Sequence, residues 1–342
     1  MDSIIKKYPE KGLWWEDTPI PSIQDNEVLI KVRKTSICGT DLHILNWDSW
    51  ARKNVPVPLV IGHEFVGEIA KIGKHVKGLN VGGRVSGEGH LTCGLCPNCR
   101  KGRKHLCLNT QGIGYHKPGC FSEYFALPGE NVFLMPEEIE DNIAAIFDPY
   151  GNAVHTALTF DLTGRDVLIT GAGPIGLMGA AVAKKAGARH VVITDVNPYR
   201  LELAKKMGAT AAVNVRQTSL QEALNELGIE QGFSSVGMEM SGNPEAFSSL
   251  LQVSQPGSRI ALLGILPPDT VIDWDLIIFK MLTIKGIWGR EIFSTWYKMI
   301  SLLESGLDLH PIVTHEYPAK KFQEAFELVE SGQCGKVILN WE

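Results

Sequence analysis

The sequence predicts an α/β protein of two domains, one mostly β and one a doubly wound parallel sheet. Three observations carry this. A chain of 342 residues exceeds what one hydrophobic core usually supports. From about residue 25 to 135, short runs rich in Gly, Pro, Val and Ile, such as EVLIKVRKTSI and FVGEIAKIG, read as strands and turns. After Asp141, apolar strands alternate with helical segments, the pattern of a parallel sheet covered on both faces.

In the second region the predicted strands are 166–171 (DVLITG), 190–195, 211–215, 235–242, 259–264 and 282–289, with helices at 174–186, 198–207 and 244–254. The tail from 292 reads as a helix, an extended piece, a second helix and a closing strand, GKVILNW, folding back onto the first domain. One domain is therefore expected at 1–145 with 292–342, and the other at 146–291.

Composition is that of an ordinary globular protein, with 44% apolar and 21% charged residues. A net charge of −5 leaves no global positive field to gather nucleic acid or an anionic membrane, so small-molecule partners are expected. The start, MDSIIKKYPEKG, has no apolar segment before a cleavage site. The longest uncharged run, Val167 to Ala183, contains four glycines and a proline and falls short of the roughly 18 residues of a membrane span. A reducing, cytoplasmic compartment follows as the expectation, and there clustered cysteines are metal ligands rather than disulfides.

Cys93, Cys96, Cys99 and Cys107 have the spacing C-x2-C-x2-C-x7-C. Four thiolates with no position left for water describe a closed, structural zinc site. An iron–sulfur cluster is a rival, but the bacterial pattern has x3 before the last cysteine and a proline after it, where Leu108 stands here. A nucleic-acid zinc ribbon is another, encouraged by Arg100, Lys101, Arg103, Lys104 and His105 and opposed by the overall acidity.

Gly171-Ala-Gly-Pro-Ile-Gly176 follows a predicted strand and opens a predicted helix. Gly171 allows the tight turn, Gly173 a close approach to a pyrophosphate, and Gly176 close packing of helix on strand. Asp195 ends the next strand nineteen residues after Gly176, where a carboxylate accepts ribose hydroxyls and repels a 2′-phosphate. NAD is favoured over NADP. A ligand-free glycine turn is the plain alternative.

Cys38, His63 and Glu64 supply a thiolate, an imidazole and a carboxylate, zinc-ligand types that leave a place open for substrate. Singly, each also reads as a packing or surface residue. GHEFVGEIAKIGKHVKGLNVGGRVSG, the cysteine lobe and GAGPIG together resemble the zinc-dependent medium-chain dehydrogenases over essentially the whole chain. The resemblance implies a GroES-like catalytic domain, with a structural lobe at about 89–108, and a Rossmann domain. Within that family KTSICGTDLHILNWDSW, SGEGHLTCGLC, AIFDPYGNAVHTAL and GREIFSTWYKM resemble the branch that oxidises L-threonine at C3.

The resemblance also implies catalytic zinc on Cys38, His63 and Glu64, structural zinc on the lobe, and a proton relay through Thr40 and His43. Asp148 falls at an acidic position beside the catalytic metal. NAD contacts are implied at Ile175, Asp195, Arg200, Leu263, Gly264, Ile265, Ile287 and Trp288, the last where Tyr is more usual, and a homotetramer is expected. Arg290, His90 and Asp148 are candidates for the substrate's charged ends, Arg290 being equally an interdomain salt bridge; Cys120, Cys334 and His155 are read as packing residues. Two other readings stay open: a polyol or secondary-alcohol dehydrogenase, and a non-catalytic zinc or NAD-binding protein.

Overall fold

The computed structural model describes residues 1–229 and 235–342. Contacts divide the chain into one unit of Met1–Asp148, Val313–Ser331 and Lys336–Glu342, and another of Pro149–Ile312 and Gly332–Gly335.

In the first unit the strand Glu27–Ser36 is the spine. Val28, Ile30 and Val32 alternate inward along it, the period-2 pattern of a sheet with one face in the core. It pairs antiparallel with Phe65–Ile72, Tyr124–Pro128 and Lys336–Asn340, within a seven-stranded sheet that also takes in Arg84–Gly87, Val132–Leu134 and Val313–Pro318. The register sets Thr35 opposite Phe65 and Ser36 opposite Ile338. Cys38, Glu64 and Lys336 lie one to three residues beyond those pairs, so all three arrive at one end of the sheet.

The second unit holds six parallel strands among the described residues, in the order Ala211–Asn214, His190–Asp195, Asp166–Thr170, Val236–Glu239, Arg259–Leu262, Thr283–Gly286. Asp166–Thr170 is buried along its whole length, as a central parallel strand must be. The chain leaves it toward one edge and returns to build the other, which makes the carboxyl ends of Asp166–Thr170 and Val236–Glu239 the topological switch point. Each predicted strand is present, His190–Asp195 at its predicted length and the others shorter by one to four residues, and the predicted helices stand at Pro174–Lys185, Pro198–Lys206 and Pro244–Val253.

One expectation differs from the structure. The segment 292–312 falls in the second unit, not with the β-rich unit. Trp296 and Met299, the apolar face of the helix Ser294–Glu304, are fully buried, and the Tyr150 hydroxyl donates to the Met299 carbonyl at 3.2 Å. A helix with that face follows the core that can bury it, and here that core is the parallel-sheet unit.

Candidate active site

The four lobe cysteines converge. Their sulfurs lie 3.5 Å apart for Cys96–Cys99 and for Cys93–Cys107, and 4.0 Å apart for Cys96–Cys107. A tetrahedron built on metal–sulfur bonds of about 2.3 Å has edges of about 3.8 Å, so the lobe already has the shape of a four-thiolate zinc site. Amide N–H groups of Leu95 and Cys96 lower the Cys93 thiol to about 6, whereas burial and the neighbouring thiols push Cys99 up to about 12. Four thiolates this close coexist only around a cation. All the cysteines are free thiols, and Arg100, Lys101 and Arg103 are solvent-exposed around the lobe.

A second cluster forms at the end of the first unit's large sheet. Cys38, His63 and Glu64 each offer a donor atom, and the three atoms lie within 4.8 Å of one another. Cys38 caps the helix Gly39–Asn46, its N–H donating to Asp41 Oδ2 at 2.9 Å. His63 and Glu64 follow Gly62, which has φ +90 and faces the Phe121 ring where a Cβ would stand, so only glycine carries the backbone through this point. The Ser36 N–H donates to the Glu64 carbonyl at 3.1 Å and ties the two segments together.

This pocket is buried and rich in acid. Glu64 and Asp41 are wholly buried and His63 nearly so. Lys336 Nζ donates to Glu64 Oε2 at 2.6 Å and to the Ile37 carbonyl at 2.6 Å. Burial disfavours a charge on Lys336, but Glu64, Cys38 and Asp41 outweigh it and raise the ammonium above its ordinary value. Burial raises Asp41 to about 6; it also opposes a proton on His63, yet Cys38, Asp41 and Asp148 bring that imidazole up to about 10. Glu64 Oε1, His63 Nδ1 and Asp41 Oδ1 are buried without a hydrogen-bond partner. Unpartnered lone pairs in a pocket that draws positive charge this strongly fit a zinc ion held by thiolate, imidazole and carboxylate.

Thr40 and His43 sit three residues apart on the helix Gly39–Asn46, on one face, with Thr40 Oγ1 3.9 Å from the Cys38 sulfur. Asp148 stands outside the three-donor cluster but beside it. A Cβ on Gly89 would lie 3.6 Å from Asp148 Oδ2 and 3.8 Å from His63 Cβ. His90 is fixed by Glu88, a wholly buried acid whose Oε1 is 2.8 Å from His90 Nδ1.

In the second unit Gly171 has φ +96, and a Cβ there would meet the Ser241 backbone at 2.9 Å. Gly173 is open on its Cα face and caps the helix Pro174–Lys185, with Pro174 in the first position. A helix N-terminus so exposed fits a pyrophosphate. Asp195 Oδ2 accepts from the Ala172 N–H at 2.7 Å, and Oδ1 from Val196 at 2.7 Å and Asn197 at 2.9 Å. The acid thus ties the glycine turn to the next strand, and Oδ2 keeps lone-pair capacity for a ribose hydroxyl.

The remaining predicted contacts lie in the same unit. Leu263 and Gly264 donate their N–H groups to the Glu239 carbonyl at 2.9 and 3.0 Å. Ile175 is partly buried, Ile265 and Trp288 are exposed, and Ile287 is buried with its N–H on the Leu262 carbonyl at 2.8 Å. Arg200 turns toward Gly332, where a Cβ would stand 3.4 Å from its Nη2. Arg290 is 1% exposed, donates to Asn152 Oδ1 at 3.2 Å and lies 5.7 Å from the Trp296 ring. Cys120 and Cys334 are buried, and His155 Nδ1 is 3.0 Å from the Gly289 carbonyl.

Sequence reasoning did not find Asp41, Lys336, Asp48 or Glu239. Asp48 Oδ2 lies 2.5 Å from His43 Nδ1. Glu239 is wholly buried, and its Oε1 accepts from the Ser241 and Gly242 N–H groups at 2.9 and 3.0 Å, holding the loop beside Gly171. A charged residue inside an apolar strand, as in VGMEM, was the one available signal.

Residues 24–137 match the alcohol dehydrogenase GroES-like domain family, and residues 174–305 the zinc-binding dehydrogenase family. The chain is 63% identical over 342 residues to the L-threonine 3-dehydrogenase of Protochlamydia amoebophila, and 59% identical to that of Proteus mirabilis, covering all of each. It superposes on a crystal structure of an alcohol dehydrogenase from E. coli CFT073 complexed with NADH, with a TM-score of 0.91, 30% identity and coverage of 100% of this chain and 99% of that one. The chain belongs to the zinc-dependent medium-chain dehydrogenases, within the L-threonine 3-dehydrogenase family.

Proposed function

We propose that this enzyme oxidises the C3 hydroxyl of L-threonine to L-2-amino-3-oxobutanoate, with NAD as hydride acceptor. The convergence of Cys38, His63 and Glu64, in a chain 63% identical end to end to an L-threonine 3-dehydrogenase, carries the reading. The first unit is read as the catalytic domain and the second as the NAD-binding domain. When bound, zinc supplies Lewis-acid polarisation of a hydroxyl oxygen, and NAD accepts the hydride.

The chain's own residues do the rest. Cys38, His63 and Glu64 hold the catalytic ion, and the four lobe cysteines hold the structural one. Thr40 accepts the hydroxyl proton as it passes its own on, and His43, whose side chain is exposed, delivers the proton to water. Asp148 adds negative charge beside His63 and, with His90, belongs to the unit that would meet the substrate's ammonium. Gly171, Gly173 and Gly176 shape the pyrophosphate turn, and Asp195 accepts a ribose hydroxyl. Arg200, Ile175, Leu263, Gly264, Ile265, Ile287 and Trp288 line the rest of the cofactor's path.

Initial rates of NADH formation with L-threonine, sorbitol and 2,3-butanediol test the substrate. L-Threonine is expected to exceed the other two by at least about 100-fold in kcat/KM, because a site that pairs charged groups rejects analogues lacking them. Comparable rates with sorbitol would transfer the assignment to a polyol dehydrogenase.

A homotetramer in the cytoplasm completes the reading. No described helix is long and apolar enough to cross a membrane. Val271, Phe279 and Met281, close in sequence to the edge strand Thr283–Gly286, are large apolar side chains left exposed, of the kind a subunit interface covers. Light scattering is expected to give about four times the 37.6 kDa chain mass, and Phe279→Asp with Val271→Asp a smaller species. A wild-type monomer would refute the assembly.

A further inference from the structure

We propose that Asp48 is a positioning residue for His43: its carboxylate holds Nδ1 and so commits Nε2 to receiving the substrate's proton. The inference rests on the reading of His43 as the relay's end and adds the group that sets its tautomer.

The geometry is specific. Asp48 Oδ2 lies 2.5 Å from His43 Nδ1, while Oδ1 accepts the Ala51 N–H at 2.9 Å and caps the short helix Ser49–Asn54. Both carboxylate oxygens are thus engaged, which fixes the side chain in one orientation. The residue before it, Trp47, is buried and left-handed at φ 52, a conformation a tryptophan rarely adopts, and Lys6 Nζ sits 4.9 Å from its ring. That turn is what returns Asp48 to the imidazole five residues earlier, and backbone strain of this kind collects where placement matters.

Chemistry supplies the rest. A carboxylate only accepts, so the neutral imidazole carries its hydrogen on Nδ1 and leaves Nε2 bare. When the substrate hydroxyl gives its proton to Thr40 and Thr40 gives its own to Nε2, the resulting imidazolium lies against a negative charge. Partial burial by itself would raise the Asp48 carboxyl, but the Ala51 amide, His43 and the Trp50 amide hold it below the usual carboxylate range, so the acid is ionised at neutral pH.

Other groups near His43 play a different part. On its own helix Asp41 is turned inward onto the Cys38 N–H. From the next helix Arg52 donates Nε to the Trp47 carbonyl at 2.9 Å, Lys53 is exposed, and the Trp50 ring lies 6.0 Å from the imidazole. Tyr115 and then His116 stand beyond Trp50.

Asp48→Asn and Asp48→Ser separate the roles, since Asn and Ser both serve as helix N-caps while neither presents a carboxylate. In the zinc-loaded enzyme without substrate, 15N NMR of the neutral His43 imidazole is expected to show its hydrogen on Nδ1 in the wild type and a mixture of the two tautomers in both variants. With L-threonine, kcat is expected to fall about tenfold, with zinc content and KM for NAD unchanged; Asp48→Glu restores part of the rate. An unchanged tautomer with a wild-type kcat would overturn the proposal. So would loss of zinc or of cooperative unfolding in both variants, because Asp48 would then be structural. Should the wild type fail to oxidise L-threonine, the substrate reading fails on its own, and the tautomer of the imidazole still reports the His43–Asp48 pair.

Discussion

Cys38→Ala is expected to lower kcat/KM for L-threonine by about four orders of magnitude and to leave one zinc per chain in place of two. Lewis-acid polarisation contributes several kcal/mol to such a reaction, and each 1.36 kcal/mol is a factor of about ten in rate. With the Cys38 sulfur gone, His63 and Glu64 are two protein donors where a catalytic zinc site uses three. The lobe keeps all four of its thiols and hence its ion. Loss of the fold does not account for the effect, because Cys38 caps its helix through a backbone N–H on Asp41 Oδ2, which alanine retains. Metal analysis of the desalted protein and initial rates measure both quantities together. Two zinc ions with a wild-type rate would place the chemistry elsewhere in the chain.

The two sites differ in how plainly the sequence announced them. The lobe was legible because its ligands lie within one loop, so spacing alone approximates geometry. The glycine turn was legible for the same reason: strand, turn and helix are contiguous, and Asp195 is one strand away. Cys38 and His63 are far apart along the chain, and only the antiparallel register of Glu27–Ser36 on Phe65–Ile72 brings them together. No local pattern encodes that register, which is why resemblance rather than spacing singled them out.

Lys336 was less legible still. It lies 272 residues from Glu64, in a closing strand whose pattern predicts burial but not a buried cation. Asp48 was hidden differently: NWDSW reads as a surface turn, and nothing in it shows that Trp47 turns left-handed and sends the carboxylate back to His43. The fold class was clear from alternating strands and helices. The helix Ser294–Glu304 was assigned to the wrong unit because amphipathicity says that a helix needs a core, not which core.

Lys336→Met carries the largest expected effect on stability. Methionine nearly matches the volume of lysine but removes the ammonium that meets Glu64 Oε2 at 2.6 Å, in a pair exposed by no more than 3% on either side chain. Breaking a buried pair by deleting one partner costs about 3–5 kcal/mol, because the other charge stays desolvated and uncompensated. In chelator-treated protein the lowest unfolding transition is therefore expected to drop by about 10 °C, at roughly 2–4 °C per kcal/mol for a unit of this size. In zinc-loaded protein the drop should be smaller, since a cation held by Glu64 takes over part of the compensation, and a ligand that binds only the folded state adds stability of its own. Adding Glu64→Gln to Lys336→Met removes the stranded charge and should recover part of the loss, so the two substitutions are expected to be strongly non-additive. Equal shifts with and without zinc, or additive ones in the double variant, would mean that Lys336 supports the strand rather than the metal site. The differential carries the argument: a lysine that serves only packing has no means of sensing whether zinc is bound.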